Sequence, residues 1–404
     1  MIAQASFDFT KFWEGKRSES RSPWIEDLRY EALKELERAV YPGTHLEEWR
    51  KVPLKGLDLG EIFSKKEEFL SIKVHTDNNL VVFKNWNDLE PNQIDYVRSI
   101  YKVYLEKYHN QFFSILPLLT FEKAFFIDIP DNTEIQDPIV LEISYKDYAT
   151  HASPVLFIRI GKNSHVKITE RITSPLSEDI HFFNSFSMIE MGAGSGLDFI
   201  SWEDLNSQAF HVRTQNFNLS SDSELRHNYF NLGGYRGKTF LDVDLNGTGA
   251  NAILLGAACP SKRELQDLEY RVNHNSGHTS SDLNFRTVLR GKSHHIFTGN
   301  IQIPVTSKQV NAHQLNHNLV LEKSARAEAN PRLEVFSDSV KCSHGATMSE
   351  VNEEQMFYLL SRGIEESEAR KLIVEGFLSE IIEKVDRDEF GDEIKSRLIQ
   401  KIID

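Results

Sequence analysis

A turn of small residues followed by an alternating strand recurs in the middle of the chain. Its four copies are Gly161–Ser164, Gly192–Ser195, Ser221–Ser223 and Gly247–Ala250. The last residues of these turns lie 31, 28 and 27 positions apart. This spacing indicates the coils of a parallel β-solenoid, in which a coil buries its inner face only against its neighbours. An antiparallel sandwich with loops of similar length is the alternative that the recurrence alone leaves open.

The rest of the pattern divides the chain into three zones. Residues 1–118 are predicted to be mainly helical, because Trp24–Val40 and Gln93–Phe113 carry apolar residues at helical spacing. Residues 119–345 alternate polar and apolar positions in short runs, which predicts strands. Residues 346–404 are predicted to be helical again, and Asn352 followed by Gln355 has the pattern of a capping box.

Composition and charge narrow the class of protein. The 404 residues carry a formal net charge of −14, with 15 acidic against 8 basic residues after position 344, so no nucleic-acid partner is expected. Two cysteines in a chain of this length favour a reducing compartment. We find neither a secretory signal pattern nor an apolar run of membrane-spanning length, so we expect a cytoplasmic protein without a membrane partner.

No motif in the sequence predicts catalysis. The chain has no phosphate-binding loop, dinucleotide fingerprint, nucleophile elbow or Cys-x-x-Cys pair, so we do not expect an enzyme. Seven of the 15 histidines fall between positions 274 and 344. Such a cluster is typical either of metal binding or of a polar ladder along a solenoid wall, and the ladder is favoured for every one of them except His344.

Cys342 and His344 form the one compact constellation that could bind a metal. Because residues two apart on a strand share a face, both side chains are predicted to point the same way, with Lys341 beside them as a cation that favours the thiolate. Thiolate and imidazole are both good ligands for iron or zinc. Two ligands are not a complete site, so the alternatives are a site shared with a partner chain, or a half-buried cysteine beside an unrelated histidine.

Several longer stretches resemble the SufB/SufD family of iron–sulfur cluster assembly scaffold proteins, in order along the chain. They are Glu47–Arg50, Asp267–His274, Asn311–Leu321, Ala329–Asp338, Val340–Thr347 and Glu354–Ile364. The string Cys-Ser-His-Gly-Ala-Thr, the chain length and the two cysteines are similar to SufD-type members of the family.

The resemblance implies a mainly β fold: a right-handed parallel β-helix core between N-terminal and C-terminal α-helical regions. It implies a SufD-like subunit that forms a platform with a SufB-like paralogue and a SufC-like ATPase, for assembly of nascent Fe–S clusters and iron acquisition. The cluster would be transient, with Cys342 and His344 near the SufB contact. The C-terminal region would dock SufC through Phe357, Tyr358, Arg362 and Gly363.

Two other functions remain open at this stage. One is a stand-alone metal-binding protein that forms a homodimer and uses Cys342 and His344 from both copies. The other is a polysaccharide-acting β-helix enzyme, which the missing export signal disfavours.

Overall fold

The structure is a computed structural model that describes residues 7–19, 22–64, 70–76, 78–145, 151–175, 181–385 and 389–403. Its strands, numbered along the chain, form two sheets. Sheet A contains, in spatial order, β1 (Leu70–His75), β4 (Ile139–Tyr145), β7 (His165–Thr173), β9 (Gly196–Asp204), β11 (Glu224–Asn231), β13 (Asn251–Ala258), β15 (Ser280–Leu289), β17 (Val310–Val320) and β19 (Val340–Glu350). Sheet B contains β2 (Val82–Asn85), β3 (Ala124–Ile129), β6 (Val155–Ile160), β8 (His181–Met191), β10 (Ala209–Leu219), β12 (Arg236–Leu245), β14 (Leu265–Asn273), β16 (His294–Ile303) and β18 (Arg326–Val335), with β5 (His151–Ala152) paired to β8.

From β6 onward the chain alternates between the two sheets, and each strand pairs in parallel with the strand one turn earlier. This makes a parallel β-solenoid of about 7 turns between residues 124 and 350. The predicted mainly β class, with a solenoid between helical ends, is confirmed. The sandwich is excluded, because its neighbouring strands would run antiparallel.

The recurring turns predicted from the sequence stack on one another at one corner of the solenoid. The residues that follow them pair in register, in the order His165, Gly196, Glu224 and Asn251. One residue of each turn has a positive φ, at Asn163 (54°), Gly194 (68°), Asp222 (56°) and Gly249 (78°). Since Gly, Asn and Asp tolerate this left-handed conformation best, the recurrence reflects a backbone requirement of the corner.

The solenoid interior is filled by the inward residues of both sheets. The largest buried apolar cluster runs from Phe125 in β3 to Val310 and Ala312 in β17. Leu333, Val340 and Cys342 of the last turn pack against it but are only partly buried.

The N-terminal helices cover the outer face of sheet B. They are α1 (Phe9–Glu19), α2 (Pro23–Arg38), α3 (Leu59–Ser64), α4 (Pro91–Lys107) and α5 (Phe112–Thr120). A second buried cluster joins their apolar faces to outward residues of sheet B such as Phe182, Phe210 and Phe240. The predicted single helix Gln93–Phe113 is wrong at its end: Tyr108 leaves the helix and its hydroxyl donates to Asp242 at 2.5 Å, and the fully buried α5 begins only at Phe112.

The C-terminal helices lie on the outer face of sheet A. They are α6 (Glu353–Ser361), α7 (Glu366–Ile382) and α8 (Glu389–Ile403). Val374, Leu378 and Ile381 of α7 are buried against sheet A in a third apolar cluster. The predicted boundary at residue 345 is wrong, because β19 pairs with β17 as far as Glu350. The boundary predicted at 118 lies inside α5, which ends at Thr120.

The two ends of the solenoid differ. At the start, β1 and β2 pair antiparallel with β4 and β3 and cover those strands. At the other end, β18 and β19 are the last strands of their sheets, and neither pairs with a further described strand. Among the residues described, no helix is long and apolar enough to cross a membrane.

Candidate functional site

Cys342 and His344 lie on β19, at the open end of the solenoid. Cys342 is in register with Ala312 of β17 and packs against the interior cluster, so its side chain faces the interior. His344 is in register with Gln314, is exposed, and shares the face of Cys342 because it lies two residues further along the strand. We therefore find the thiol and the imidazole at the rim of the interior, as the alternation predicts.

The thiol of Cys342 is not activated in this chain. Partial burial raises its pKa, and a hydrogen bond with the backbone of Ala312 only partly offsets this effect. The sequence prediction that Lys341 favours the thiolate is wrong, because adjacent strand residues point to opposite faces and Lys341 is exposed on the other side. Deprotonation would have to come from a bound metal or from a partner's charges.

The chain supplies an incomplete set of metal ligands here. Within the described residues, no group of three or more His, Cys, Asp and Glu side chains is arranged to hold a metal ion. The other cysteine, Cys259, is buried at 3% exposure against sheet A and the C-terminal helices, and burial raises its pKa to about 12. Any metal held by Cys342 and His344 would therefore need further ligands from outside this chain.

Most of the clustered histidines are engaged in contacts within the chain. His313 and His317, on the outer face of β17, bond to Ser343 and Thr347 of β19 at 2.6 and 2.7 Å. His313 also bonds to Asn311, and further bonds join His274 to Thr279 and Ser281, His294 to Glu328, and His295 to Thr287. These contacts support the polar-ladder interpretation.

The predicted docking residues form an exposed surface on α6. None of the nine residues of α6, all of which the structure describes, is buried. Phe357 is 74% exposed and Tyr358 is 57% exposed. The guanidinium of Arg362 lies 5.2 Å from the centre of the Tyr358 ring, and Gly363 ends the helix with a φ of +83°.

A groove separates α6 from the body of the protein. It has a volume of about 880 Å³ and lies between α6, α7 and the ends of β17 and β19. Leu319, Tyr358, Leu372 and Phe377 give it a partly apolar wall. The predicted helix cap is present, since the Asn352 side chain accepts hydrogen bonds from the backbone N–H groups of Glu354 and Gln355 at 2.8 and 3.0 Å.

One residue of the site cannot be found from the sequence pattern. Gln314 lies directly beneath His344 in the solenoid and is 2% exposed. It belongs to the family-like stretch Asn311–Leu321 and lies two residues after the inward-facing Ala312, but a polar side chain gives no sign of being buried. Only the register of the solenoid reveals its position.

Comparison with known proteins identifies the family. Residues 144–377, more than half of the chain, match the sequence model described as "SUF system FeS cluster assembly, SufBD core domain". An iron–sulfur cluster assembly SufBD family protein of Synechocystis is 27% identical over 68% of this chain and 63% of its own length. The SufD protein of Escherichia coli is 28% identical over 60% of this chain and 57% of its own length. A third relative, the chloroplastic ABCI7 of Arabidopsis thaliana, is 24% identical over 67% of this chain and 59% of its own length.

The chain thus spans less than two thirds of the length of these three relatives. The matched region contains the later turns of the solenoid, Cys342, His344 and the whole of α6. With a match over more than half of its residues, this chain belongs to the SufB/SufD family of iron–sulfur cluster assembly proteins.

Proposed function

We propose that the chain is a SufD-like subunit of a cytoplasmic SUF scaffold complex. It forms a platform with a SufB-like paralogue and a SufC-like ATPase, on which nascent Fe–S clusters are assembled and iron is acquired. The chain itself performs no hydrolysis, and the ATPase partner hydrolyses the nucleotide. The relationship to the E. coli protein named iron–sulfur cluster assembly protein SufD supports the SufD-like assignment.

The observation that carries this proposal is the open end of the solenoid. Both sheets end there in strands β18 and β19, whose outer edges pair with no further described strand, and such edges are templates for pairing with another chain. Cys342 and His344 lie on the inner face of one of these edges. A partner that continues the sheets would bury this rim and bring its own ligands to it.

The nascent cluster is the cargo of the complex and is passed on to a recipient. The two side chains fit it chemically, because thiolate and imidazole are both established ligands of iron–sulfur centres. With only two ligands from this chain, the cluster stays dependent on the partner, which suits a scaffold that has to release its product.

The α6 surface suits the second partner. Phe357 and Tyr358 are exposed aromatic side chains of the kind enriched at binding hot spots, and the groove beside them can receive an element of another protein. We assign this surface, including Arg362 and Gly363, to the SufC-like ATPase.

Substitution of His344 tests the proposed site. In a complex reconstituted with SufB-like and SufC-like partners, His344→Ala is expected to lower cluster formation by about tenfold or more, while partner binding is unchanged. Cys342→Ala is expected to act in the same direction. Iron and sulfide content and the visible absorption of the complex are the measurements.

His313→Ala is the matched control. His313 lies on the neighbouring strand close to the same end, but on the outer face, where it bonds to Ser343. It is expected to leave cluster formation unchanged. Normal cluster yield in the His344→Ala complex would refute the site assignment.

A stand-alone homodimer is the second candidate, because an open edge also accepts a second copy of the same chain. Purification of the untagged protein from its native cell separates the two. Recovery of only a homodimer, without paralogue or ATPase, would favour the second candidate.

A further inference from the structure

Gly376 lies in the interior of α7, where a helix does not need a glycine. Its backbone is helical and its φ is not in the left-handed region. Glycine in a helix interior is less favourable than alanine, because it loses more backbone freedom on folding. A Cβ built at Gly376 would have no described atom within 4 Å, so no close contact within the chain requires the missing side chain.

The empty space beside Gly376 is the groove between α6 and α7. Leu372 and Phe377 line it from α7, and Tyr358 and Leu359 line it from α6. Leu372 is 40% exposed and Tyr358 is 57% exposed, so these apolar surfaces lack a full cover within the chain. A helix with its side chains is about 10 Å wide and rises about 1.5 Å per residue. The groove volume of about 880 Å³ therefore accommodates roughly two helical turns.

The charged side chains of the groove are acidic. Of the described residues that line it, Glu350 at the end of β19 and Glu354 in the first turn of α6 are charged, and none is Lys or Arg. Neither carboxylate forms an ion pair with another described residue. A helix that enters the groove is therefore favoured by a Lys or Arg opposite these carboxylates, whereas an acidic helix is repelled.

We propose that this groove receives a basic amphipathic helix of the ATPase partner. The apolar face of that helix packs on α7, where Gly376 lets the two backbones approach closely, and a Lys or Arg pairs with Glu350 or Glu354. The naming of the ATPase rests on the proposed function, whereas the size, polarity and charge of the occupant are argued from the groove.

Gly376→Leu tests the close approach. Leucine is a better helix former than glycine and its Cβ meets no described atom here, so the variant is expected to unfold at a higher denaturant concentration than the wild type. Its side chain would fill the groove, so binding of the isolated ATPase is expected to weaken by about tenfold or more. Calorimetry with the full-length chain measures the affinity. Loss of binding in a more stable variant separates an interface role from a structural one.

Ser367→Leu is the matched control. Ser367 is exposed in the first turn of α7 and is not among the residues that line the groove. The substitution adds the same side chain to the same helix, and it should leave the affinity unchanged. Equal affinity of the wild type and Gly376→Leu for the ATPase would overturn the proposal.

Glu354→Lys and Glu353→Lys test the charge of the occupant. Both substitutions reverse one charge in the first turn of α6, but only Glu354 lines the groove. Glu354→Lys is expected to weaken ATPase binding by about tenfold or more, and Glu353→Lys by no more than about twofold. An equal effect of the two substitutions would refute the pairing with a basic helix.

Hydrogen exchange of the ATPase identifies the segment that enters the groove. The segment that the wild-type chain protects and Gly376→Leu does not is expected to be a helix with Lys or Arg on one face. Protection of a strand or of an acidic segment instead would contradict the proposal.

These measurements keep the inference apart from the proposed function. If the ATPase does not bind the wild-type chain, the proposed partner itself is refuted. If it binds the wild type and Gly376→Leu equally, the partner stands and the inference about the groove fails. If the wild type self-associates in sedimentation and Gly376→Leu is monomeric, the groove binds a second copy of this chain, and the inference fails as well.

Discussion

Glu203 and Arg213 form a charged pair deep in the solenoid interior, where ionised groups are rare. Arg213 Nη1 donates to Glu203 Oε1 at 2.7 Å, and both residues are at most 1% exposed. His211 Nδ1 lies 2.9 Å from the other carboxylate oxygen, and Arg213 also bonds to Glu170. Burial alone would raise the pKa of Glu203, but His211 and Arg213 outweigh it and hold the pKa at about 2.

This pair predicts how stability depends on pH. Because the folded-state pKa of Glu203 is depressed from 4.5 to about 2, its contribution is fully present above pH 4.5 and is lost as the pH falls through 2. The contribution of Glu203 to the free energy of unfolding is expected to drop by about 3 kcal/mol as the pH falls over that interval. Denaturant unfolding at a series of pH values measures it.

Glu203→Gln is expected to be less stable at pH 7 and to approach the wild type in stability near pH 2. Glu224→Gln, at an exposed position on β11, is the control and should keep the wild-type pH profile. An unaltered acid profile in Glu203→Gln would contradict the prediction.

At the residue scale, the rim was predictable and the buried charges were not. The shared face of Cys342 and His344 follows from alternation along one strand. Glu170, Glu203 and Arg213 come from β7, β9 and β10, and each has its partners on other strands. In an alternating strand, polar residues are expected to face solvent. Without the strand register, these three residues would therefore be predicted on the outer face of their sheets.

Among the helices, α6 differs from its neighbours because it buries none of its residues. The next helix, α7, is fixed to sheet A by apolar packing and by hydrogen bonds from Arg286 to Phe377 and Glu380. The capping pattern at Asn352 predicted where α6 begins. The separation of α6 from the rest of the protein depends on the tertiary packing of α7 and on the length of β19, and the local sequence specifies neither.

Because α6 is exposed, substitutions on it are expected to change partner binding without changing the stability of the fold. Phe357→Ala and Tyr358→Ala are expected to change the free energy of unfolding by no more than about 0.5 kcal/mol, because neither side chain is buried. Both are expected to weaken binding of a SufC-like ATPase by about tenfold or more. Calorimetry of the full-length chain with the isolated ATPase measures the second effect.

Val103→Ala is the matched control, since Val103 is an apolar residue that is 60% exposed on α4. It should change neither stability nor binding. Equal affinity of wild type and Phe357→Ala for the ATPase would remove α6 from the interface.

Across the whole molecule, the two ends of the solenoid differ: the antiparallel strands β1 and β2 cover one end, here called the closed end, whereas β18 and β19 at the open end are largely exposed. The N-terminal strands β1 and β2 add antiparallel edges at the start, whereas β18 and β19 end the sheets without a cap among the described residues. In a solenoid each turn is stabilised by its two neighbours, so the last turn has only one. The recurrence in the sequence predicted the stacking, but which end stays open depends on strands that lie outside the repeat.

This asymmetry predicts where a SufB-like partner binds. Phe336 is 65% exposed at the corner between β18 and β19, and Phe336→Glu is expected to weaken the partner's binding by about tenfold or more, because a charge would be buried without a counterpart. Leu80→Glu, at a 56% exposed position next to β2 at the closed end, is the control and should leave binding unchanged. Calorimetry with the isolated paralogue measures both affinities.

Hydrogen exchange provides an independent readout for the same interface. In the free chain, the amides of β18 and β19 should exchange fastest among the solenoid strands, because their outer edges are unpaired and their side chains are largely exposed. Binding of the partner should slow exchange there and leave β1 and β2 unaffected. Protection that arises at β1 and β2 instead would place the partner at the closed end, and the partner could then no longer supply ligands to Cys342 and His344.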